Sequence, residues 1–420
     1  MWNPRATFAR IADQYPNESV REQRLKVRDL RSRTAPLRLM YATSMDPTDV
    51  RAWSGTVRFI AKSLEDQQVQ MRYLGDLQRT RVLLRKAVNK VQHWISPDSI
   101  FPVERTTTMA ERFAGQIGEA LAESDCDVVF SPSSIPVALL RCDRPKVFYT
   151  DATFAGILDL YPEYRNYPKR YLQQGHDLER EALRSCDLAI YSSEWAARTA
   201  VEHYDADPSR IRVVPFGCNL DRIPARSRIE QVIDSRPMER CELLFLAVSW
   251  ERKGGDLALR TAERLHAQGL DVRLTIVGCT PPEAKLPPYV EVVPFIAKNT
   301  AAGQRRITNL IQRSHVLLLP TRADCSPIVF SECNAFGVPC ITTAVGGTPS
   351  SVRDGLNGMA LPLDADADAY AATIAELMIE PQRYRALAHG ALNEHHERLN
   401  WNSTGLTLRR HLEELLAAKG

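Results

Sequence analysis

Two successive series of short apolar segments, each alternating with amphipathic stretches, constrain the fold of this chain more than any other feature of its sequence. The first series predicts six strands, at residues 37–41, 69–73, 128–130, 147–149, 188–191 and 211–214. The second series predicts six more, at residues 243–248, 274–277, 290–293, 316–319, 340–342 and 359–361. Continuous apolar strands separated by helices are typical of parallel sheets covered on both faces. The pattern therefore predicts an α/β fold with two doubly wound, Rossmann-like domains.

The length of the chain and the polarity of its segments predict where these domains begin and end. At 420 residues the chain is too long for one ordinary core. The segment 221–239 is polar, contains two prolines and lacks a convincing strand, which is typical of a connection between domains. We therefore predict five parts, namely an N-terminal extension at 1–35, an N-terminal domain at 36–222, a linker at 223–240, a C-terminal domain at 241–395 and a bridging helix at 396–420. Because ligands of open α/β sheets bind beyond the carboxyl ends of the strands, we also expect a cleft between the domains.

The composition disfavours several classes of protein. The chain has 54 basic and 51 acidic residues, and this near-neutral balance does not indicate a nucleic-acid partner. Its nine cysteines are scattered singly, which argues against a metal knuckle or a disulfide framework and favours a reducing cytosol. No window approaches the roughly 18 uninterrupted apolar residues of a membrane span. We therefore expect a soluble cytoplasmic protein.

The segment 317–347 holds the most informative group of polar residues. A strand is predicted to end at Pro320, and the loop that follows carries Asp324 and Ser326 before a helix that begins near Pro327. Glu332 lies inside this helix, which is predicted to end before Gly337. The free N–H groups at the start of a helix after a strand can bind phosphate, and carboxylates accept hydrogen bonds from sugar hydroxyls. By spacing alone, a helix-capping Asp and a surface Glu fit this pattern equally well.

A basic, glycine-containing turn follows the first predicted strand of the C-terminal domain. Arg252, Lys253 and Gly254 lie between this strand and a helix for which Asp256 is the predicted N-cap. Glycines let the backbone approach a ligand closely, and two cations can neutralise a diphosphate. The segment lacks the spacing of a Walker loop, and a solvated basic turn is the alternative.

Together, these two segments resemble the C-terminal domain of retaining family-4-type glycosyltransferases (glycosyl transferases group 1) of the GT-B fold. In that family a Lys-Gly turn binds the donor diphosphate, and a Glu-x7-Glu motif binds the sugar and the ribose. Asp324 and Glu332 stand at the motif positions here, so the first acid is Asp rather than Glu. The family's Gly-Arg-Leu ahead of the Lys is absent, and Arg252 directly precedes Lys253. The segment 214–220 (VPFGCNL) resembles the Pro-x-Gly-x-(Asp/Asn) ending of the family's N-terminal domain, and the likeness extends over residues 37–415.

The resemblance implies a retaining, metal-independent transferase with two Rossmann-like domains that face a cleft. It would move a sugar from a UDP-, GDP- or ADP-sugar to a hydroxyl acceptor, either a glycan or a lipid-linked glycan, without a further cofactor. Catalytic roles are implied for Lys253, Arg252, Asp324 and Asp151, although many relatives have a His near the position of Asp151. Donor-binding roles are implied for Glu332, Ser326, Pro327, Ile328, Gly254, Gly278 and Gly55.

Three alternatives stay open at this point. The segment 77–94 is a basic helix candidate with an apolar face; it either packs this face inward or contacts an anionic membrane, in which case the protein would work at the inner face of the membrane. A non-catalytic sugar- or nucleotide-binding partner protein of the same fold is the second alternative. A sugar-nucleotide epimerase is the third.

Overall fold

The computed structural model describes residues 36–419, apart from residues 51, 78–102, 162–163 and 165. The predicted N-terminal extension at 1–35 and almost all of the predicted basic helix at 77–94 therefore lie outside the described residues. The described chain forms two α/β domains, each built on a sheet of six parallel strands. This confirms the predicted fold class.

The central strands of the N-terminal sheet are buried on both faces. Its strands are β1 (Arg38–Ala42), β2 (Gln70–Leu74), β3 (Val128–Ser131), β4 (Lys146–Thr150), β5 (Leu188–Tyr191) and β6 (Ile211–Val213), in the order β2-β1-β3-β4-β5-β6. Successive side chains of a strand point to opposite faces. Accordingly, Met40 belongs to the apolar core on one face of the sheet, whereas Leu39 and Tyr41 belong to the core on the other.

Six helices in the described part of the chain cover this sheet. They are α1 (Thr56–Glu65), α2 (Thr107–Ala122), α3 (Ile135–Ala138), α4 (Phe154–Leu160), α5 (Lys169–Ser185) and α6 (Glu194–Tyr204). Side chains at the strand ends cap two of them. Thr153 accepts a hydrogen bond from the Gly156 N–H at 3.1 Å, and Ser193 accepts one from the Ala196 N–H at 3.2 Å. These caps fix where the chain leaves strands β4 and β5.

The C-terminal sheet repeats this architecture with a different strand order. Its strands are β7 (Cys241–Leu246), β8 (Val272–Val277), β9 (Val290–Val293), β10 (Val316–Leu319), β11 (Cys340–Thr343) and β12 (Gly358–Leu361), in the order β12-β11-β10-β7-β8-β9. All twelve predicted strands are confirmed, with ends displaced by at most two residues. The apolar runs located the central strands correctly because these strands are buried on both sides, whereas the edge strands β2 and β9 are largely exposed.

The helices of the second half include one that the sequence did not predict. They are α7 (Arg226–Asp234), α8 (Gly255–Ala267), α9 (Ala301–Arg313), α10 (Ile328–Asn334), α11 (Thr348–Ser351), α12 (Ala367–Ile379), α13 (Pro381–Glu397) and α14 (Trp401–Ala417). Helix α7 lies in the segment expected to be a linker. Its Ile229 and Ile233 are buried in the core of the C-terminal domain, so this segment packs as part of that domain.

The last helix returns to the N-terminal domain. Leu408 and Leu412 of α14 are buried in the same core as Ile60 and Leu64 of α1. Helix α14 approaches α1 closely at Gly405, where an added Cβ atom would overlap the carbonyl oxygen of Ser63. None of the helices in the described part of the chain has the length and apolarity needed to cross a bilayer.

The close contact at Gly405 gives a test of this packing. We expect Gly405→Ala to lower the free energy of unfolding by about 1–3 kcal/mol, because the new methyl group forces α14 away from α1. Gly118→Ala on α2 is the matched control, since its added Cβ atom meets nothing within 4 Å. There we expect a gain of up to about 1 kcal/mol, because Ala favours a helix over Gly. Chemical denaturation of both variants measures the difference, and equal effects would contradict the described packing.

Candidate active site

The candidate site forms where the strand order of the C-terminal sheet reverses. Strands β7 and β10 are neighbours in the sheet but are separated by two other strands in the sequence. The loops that follow adjacent strands diverge at such a point and leave a crevice at the carboxyl edge. Both motif segments of the sequence lie here, since the basic turn follows β7 and the acidic segment follows β10.

The backbone of the basic turn rests directly on the end of β10. Gly254 adopts a left-handed conformation (φ +74°), and a Cβ atom on it would overlap the carbonyl oxygen of Pro320. Gly254 is also the N-cap residue of α8. The prediction that Asp256 is the N-cap is therefore wrong; this carboxylate lies in the first turn of α8, where it pairs with Arg260 and Arg322. The glycine is required because the two loops touch through their main chains.

Lys253 and Asp324, one from each segment, form an ion pair. The Lys253 side chain is 13% exposed to solvent and the Asp324 side chain is 9% exposed. Removing both charges from water strengthens their attraction, and it also raises the cost of leaving either one unpaired. The pair therefore fixes the position of the Lys253 ammonium group at the crevice.

Arg252 adds a second positive charge beside this pair. Its guanidinium donates a hydrogen bond to the Ala323 carbonyl at 3.0 Å. The same group lies 5.6 Å from the ring centroid of Tyr161, a residue of the N-terminal domain. Arg252 thus connects the acidic segment to the opposite side of the cleft.

The second carboxylate of the motif also has a lysine partner. Glu332, in α10, is almost completely buried and pairs with Lys298, which lies in the loop between β9 and α9. The sequence analysis missed Lys298. The signal that could have indicated it is its place just beyond the carboxyl end of a predicted strand. Each acid of the motif therefore has its own lysine.

The residues at the start of α10 contact the N-terminal domain. The Ser326 and Ser192 hydroxyls form a hydrogen bond of 2.7 Å across the two domains. Pro327 is the N-cap residue of α10 rather than part of its first turn, and Ile328 packs against the core of the N-terminal domain. The helix ends at Asn334, two residues before the predicted end, and Gly337 then has the expected left-handed conformation. Because α10 has only seven residues, we expect the lysines and Arg252 to provide most of the positive potential.

Gly278 and Gly55 follow strands of different domains. Gly278 follows β8, has a φ of +96° and abuts the loop that follows β7. Gly55 is the N-cap residue of α1, with a φ of +87°, and belongs to the connection that follows β1. Both residues therefore lie at carboxyl ends of strands.

Asp151 brings a carboxylate of the N-terminal domain to the same cleft. It follows β4 and interacts with Asp324 of the other domain. Burial, reinforced by the negative charge of Asp324, raises the pKa of Asp151 to about 7. Tyr161 and Cys325 also interact with Asp151. Asp151 therefore lies near Asp324, the partner of Lys253, and its catalytic role stays a prediction.

The arrangement combines cations and carboxylates in a form that suits a nucleotide sugar. Arg252, Lys253 and Lys298 can bind anionic oxygens, and Asp324 and Glu332 can accept hydrogen bonds from hydroxyl groups. Within the described ranges, no group of three or more His, Cys, Asp or Glu side chains is arranged to hold a metal ion. Metal independence stays a prediction.

Two protein-family models match most of the chain. A model described as Glycosyl transferases group 1 matches residues 240–380. A model described as Glycosyltransferase Family 4 matches residues 56–222. Each model thus covers one of the two domains.

Similar proteins agree with this assignment. The D-inositol 3-phosphate glycosyltransferase of Streptomyces scabiei is 27% identical over 245 residues, which cover 54% of this chain and 53% of that protein. The chain thus matches about half the length of such relatives. Sucrose-phosphate synthase from Thermosynechococcus elongatus has a similar structure, with a TM-score of 0.64 and 16% identity over 91% of this chain and 100% of the other. The Anabaena HepE protein, solved in complex with UDP-glucose, has a TM-score of 0.56 and 16% identity, covering 90% of this chain and 100% of the other. At these identities the solved structures show the shared fold.

The raised pKa of Asp151 predicts a pH-dependent stability. Because the folded state disfavours ionised Asp151, its contribution to stability falls as the pH rises from about 4 to about 7. We expect Asp151→Asn to increase the melting temperature on the order of a few degrees at pH 8 and to change it little at pH 4. Thermal unfolding of both proteins across this range measures the difference, and a difference that does not grow with pH would contradict the assignment.

Proposed function

We propose that this chain, which belongs to the group 1, family-4-type glycosyltransferases of the GT-B fold, transfers a sugar from a nucleotide-diphosphate donor to a hydroxyl acceptor. One observation carries the proposal. The two acids of the motif, Asp324 and Glu332, each pair with a lysine at the point where the strand order of the C-terminal sheet reverses. This arrangement offers cations for phosphates and carboxylates for hydroxyls in one crevice.

The donor diphosphate would bind at the basic turn. Lys253 and Arg252 both lie at the crevice, and the Lys253 side chain is largely shielded from solvent. A shielded cation interacts with a phosphate oxygen more strongly than an exposed one does. Both residues are held by neighbours in the 323–324 segment, so little ordering would be needed when the donor binds.

The two carboxylates would orient the rest of the donor. Glu332 would accept hydrogen bonds from the ribose hydroxyls, and Asp324 would accept them from the transferred sugar. Buried carboxylates discriminate strongly for hydroxyl donors, because a ligand without them leaves the charges unpaired. Lys298 would hold Glu332 in place, since it is the partner of this carboxylate.

Transfer with retention would then need positioning and electrostatics from the protein. The acceptor hydroxyl would attack from the face that the diphosphate leaves, and its proton would pass to a leaving phosphate oxygen. Arg252 and Lys253 would stabilise the negative charge that develops on this leaving group. Asp151, from the opposite domain, would orient the acceptor hydroxyl, and the cleft would exclude water that could hydrolyse the donor.

UDP-sugars and three classes of acceptor are the first to test. The similar fold of HepE, solved with UDP-glucose, supports UDP-sugars as donors. The name of the relatives, D-inositol 3-phosphate glycosyltransferase, suggests a sugar-alcohol phosphate as an acceptor candidate. Glycans and lipid-linked glycans are the other candidates. The proposal includes independence from metal ions, because cationic side chains already surround the site.

A screen for thermal stabilisation by UDP-, GDP- and ADP-sugars tests donor binding, since a ligand that binds only the folded state raises its stability. Transfer assays with the stabilising donor, with and without EDTA, then test the reaction and its independence from metals. The anomeric configuration of the product, measured by NMR, tests retention. Absence of stabilisation by every nucleotide sugar would contradict the proposal. Epimerised donor formed without an acceptor would favour the epimerase instead.

Lys253→Ala tests the role of the basic turn. We expect kcat/KM for transfer to fall by about 10²–10³-fold, because the variant loses a cation at the leaving group and leaves Asp324 buried without its partner. Lys62→Ala is the matched control, since Lys62 also pairs with an aspartate, Asp66, but on the exposed surface of α1. A Lys253→Ala enzyme that is folded and as active as the Lys62→Ala enzyme would disprove the assignment.

A further inference from the structure

The connection that follows β1 contains an unusual backbone turn. Trp53, Ser54 and Gly55 are three consecutive residues in the left-handed region, with φ values of 47°, 57° and 87°. Glycine adopts this conformation without penalty, but Trp and Ser do so at a cost in free energy. Strained residues persist only where surrounding contacts impose the conformation, and such contacts are common at functional sites.

Asn219 provides these contacts from a different part of the chain. This residue is 4% exposed and lies in the segment 214–220, where the chain leaves the N-terminal domain. Its side-chain amide donates to the Ser54 carbonyl at 2.9 Å and to the Thr56 hydroxyl at 3.3 Å. Its side-chain carbonyl accepts a hydrogen bond from the Trp401 indole at 2.9 Å. Because an indole N–H can only donate, this bond also fixes which end of the Asn219 amide faces the turn.

The turn directs the Trp53 side chain toward the cleft. The Trp53 ring packs edge-on against Phe216, with centroids 5.3 Å apart and planes at 89°. Its indole N–H acts on the Asp151 carboxylate as a donor that lowers the pKa of this group. Phe216 and Asn219 belong to the same short segment, so this segment supports both the backbone and the side chain of the turn.

We propose that Asn219 is a positioning residue for the candidate site, acting through the Trp53–Gly55 turn to hold the Trp53 indole against the Asp151 carboxylate. This role of Asn219 rests on the proposed function in one respect, because it requires that Asp151 faces the transferred sugar or its acceptor. It gives the 214–220 segment a function beyond connecting the domains. It also explains why two residues with side chains adopt the left-handed conformation.

The surroundings of Asp151 make this coupling measurable. Asp324 raises the pKa of Asp151, whereas Arg105 and the Trp53 indole lower it. Tyr149, Tyr161 and Cys325 also face Asp151, but burial keeps their pKa values above the usual range, so they stay neutral near pH 7. Loss of the indole donor therefore removes a group that favours the charged carboxylate, and the pKa of Asp151 should rise.

The experiment is a pH titration of the ligand-free protein, labelled with ¹³C at the aspartate carboxyl carbons and followed by NMR. The Asp151 signal is identified by its absence in Asp151→Asn. We expect Trp53→Phe, which keeps an aromatic ring but removes the N–H, to raise the titration midpoint by about half a pH unit or more. Asn219→Ala should shift it in the same direction.

The matched control is Asn402→Ala. Asn402 is also an asparagine whose side chain connects α14 to the N-terminal domain, through a 3.2 Å hydrogen bond from Gln67, but it does not contact the turn. We expect this variant to leave the Asp151 midpoint unchanged. If Asn219 has only a structural role, Asn219→Ala and Asn402→Ala should both lower the stability of the protein, and neither should move the titration midpoint of Asp151.

The double variant Trp53→Phe/Asn219→Ala separates a coupled from an independent effect. If Asn219 acts through Trp53, its substitution adds no further shift once the indole N–H is absent. An unchanged midpoint in Trp53→Phe, or an equal shift from Asn219→Ala in both backgrounds, would overturn the proposal. Should Asn219→Ala fail to fold, Asn219→Ser replaces it, since a serine side chain is too short to span the turn and Trp401.

The titration needs neither donor nor acceptor, so its outcome is separate from that of the transfer assay. Absence of transfer together with the predicted shifts would refute the proposed function and leave the coupling intact. Transfer without the shifts would refute the coupling alone. Where both hold, Asn219→Ala should also move the pH profile of kcat in the direction of the Asp151 titration.

Discussion

The adjacency of β7 and β10 is the constraint on which the candidate site depends. Parallel strands end at the same edge of a sheet, so neighbouring strands bring their following loops together whatever their separation in the sequence. This brings Lys253 beside Asp324 and rests Gly254 on the end of β10. The ion pair could not form if these two strands were separated within the sheet, because the loops would be several ångströms further apart.

The opposite wall of the cleft depends on contacts between the domains. The Ser331 hydroxyl on α10 donates to the Gly217 carbonyl at 2.9 Å, and Ser350 on α11 bonds to Glu194 on α6. The helix that carries Glu332 is therefore attached directly to the segment that leaves the N-terminal domain. Donor-side and acceptor-side groups consequently have a defined distance from each other, which a reaction between two bound substrates requires.

The sequence predicted features that depend on local pattern, and it missed features that depend on distant pairing. The central strands were predictable because their apolar runs are buried on both faces. Helix α7 was not predictable from the sequence, since its short, charged segment has only two buried apolar residues, Ile229 and Ile233. Asp324, Glu332 and Lys253 could be recognised because the two segments that carry them together resemble the motifs of a known family, although the spacing of either segment alone leaves other interpretations open. For Lys298 the sequence offers only its place beyond the carboxyl end of a predicted strand, because its ion pair with Glu332 joins residues that are remote in sequence. Trp53 could not be recognised, since its relevance arises from its interaction with Asp151.

The return of α14 to the N-terminal domain means that the chain passes between the domains twice, near residue 217 and near residue 400. These two passages touch, since a side chain on Gly217 would collide with the backbone of Asn400 and Trp401. Two covalent connections in contact act as a single hinge line. Sliding or twisting of one domain past the other would strain one of the connections, whereas rotation about the line strains neither. We therefore expect the cleft to open and close by rotation about the place where the two connections meet.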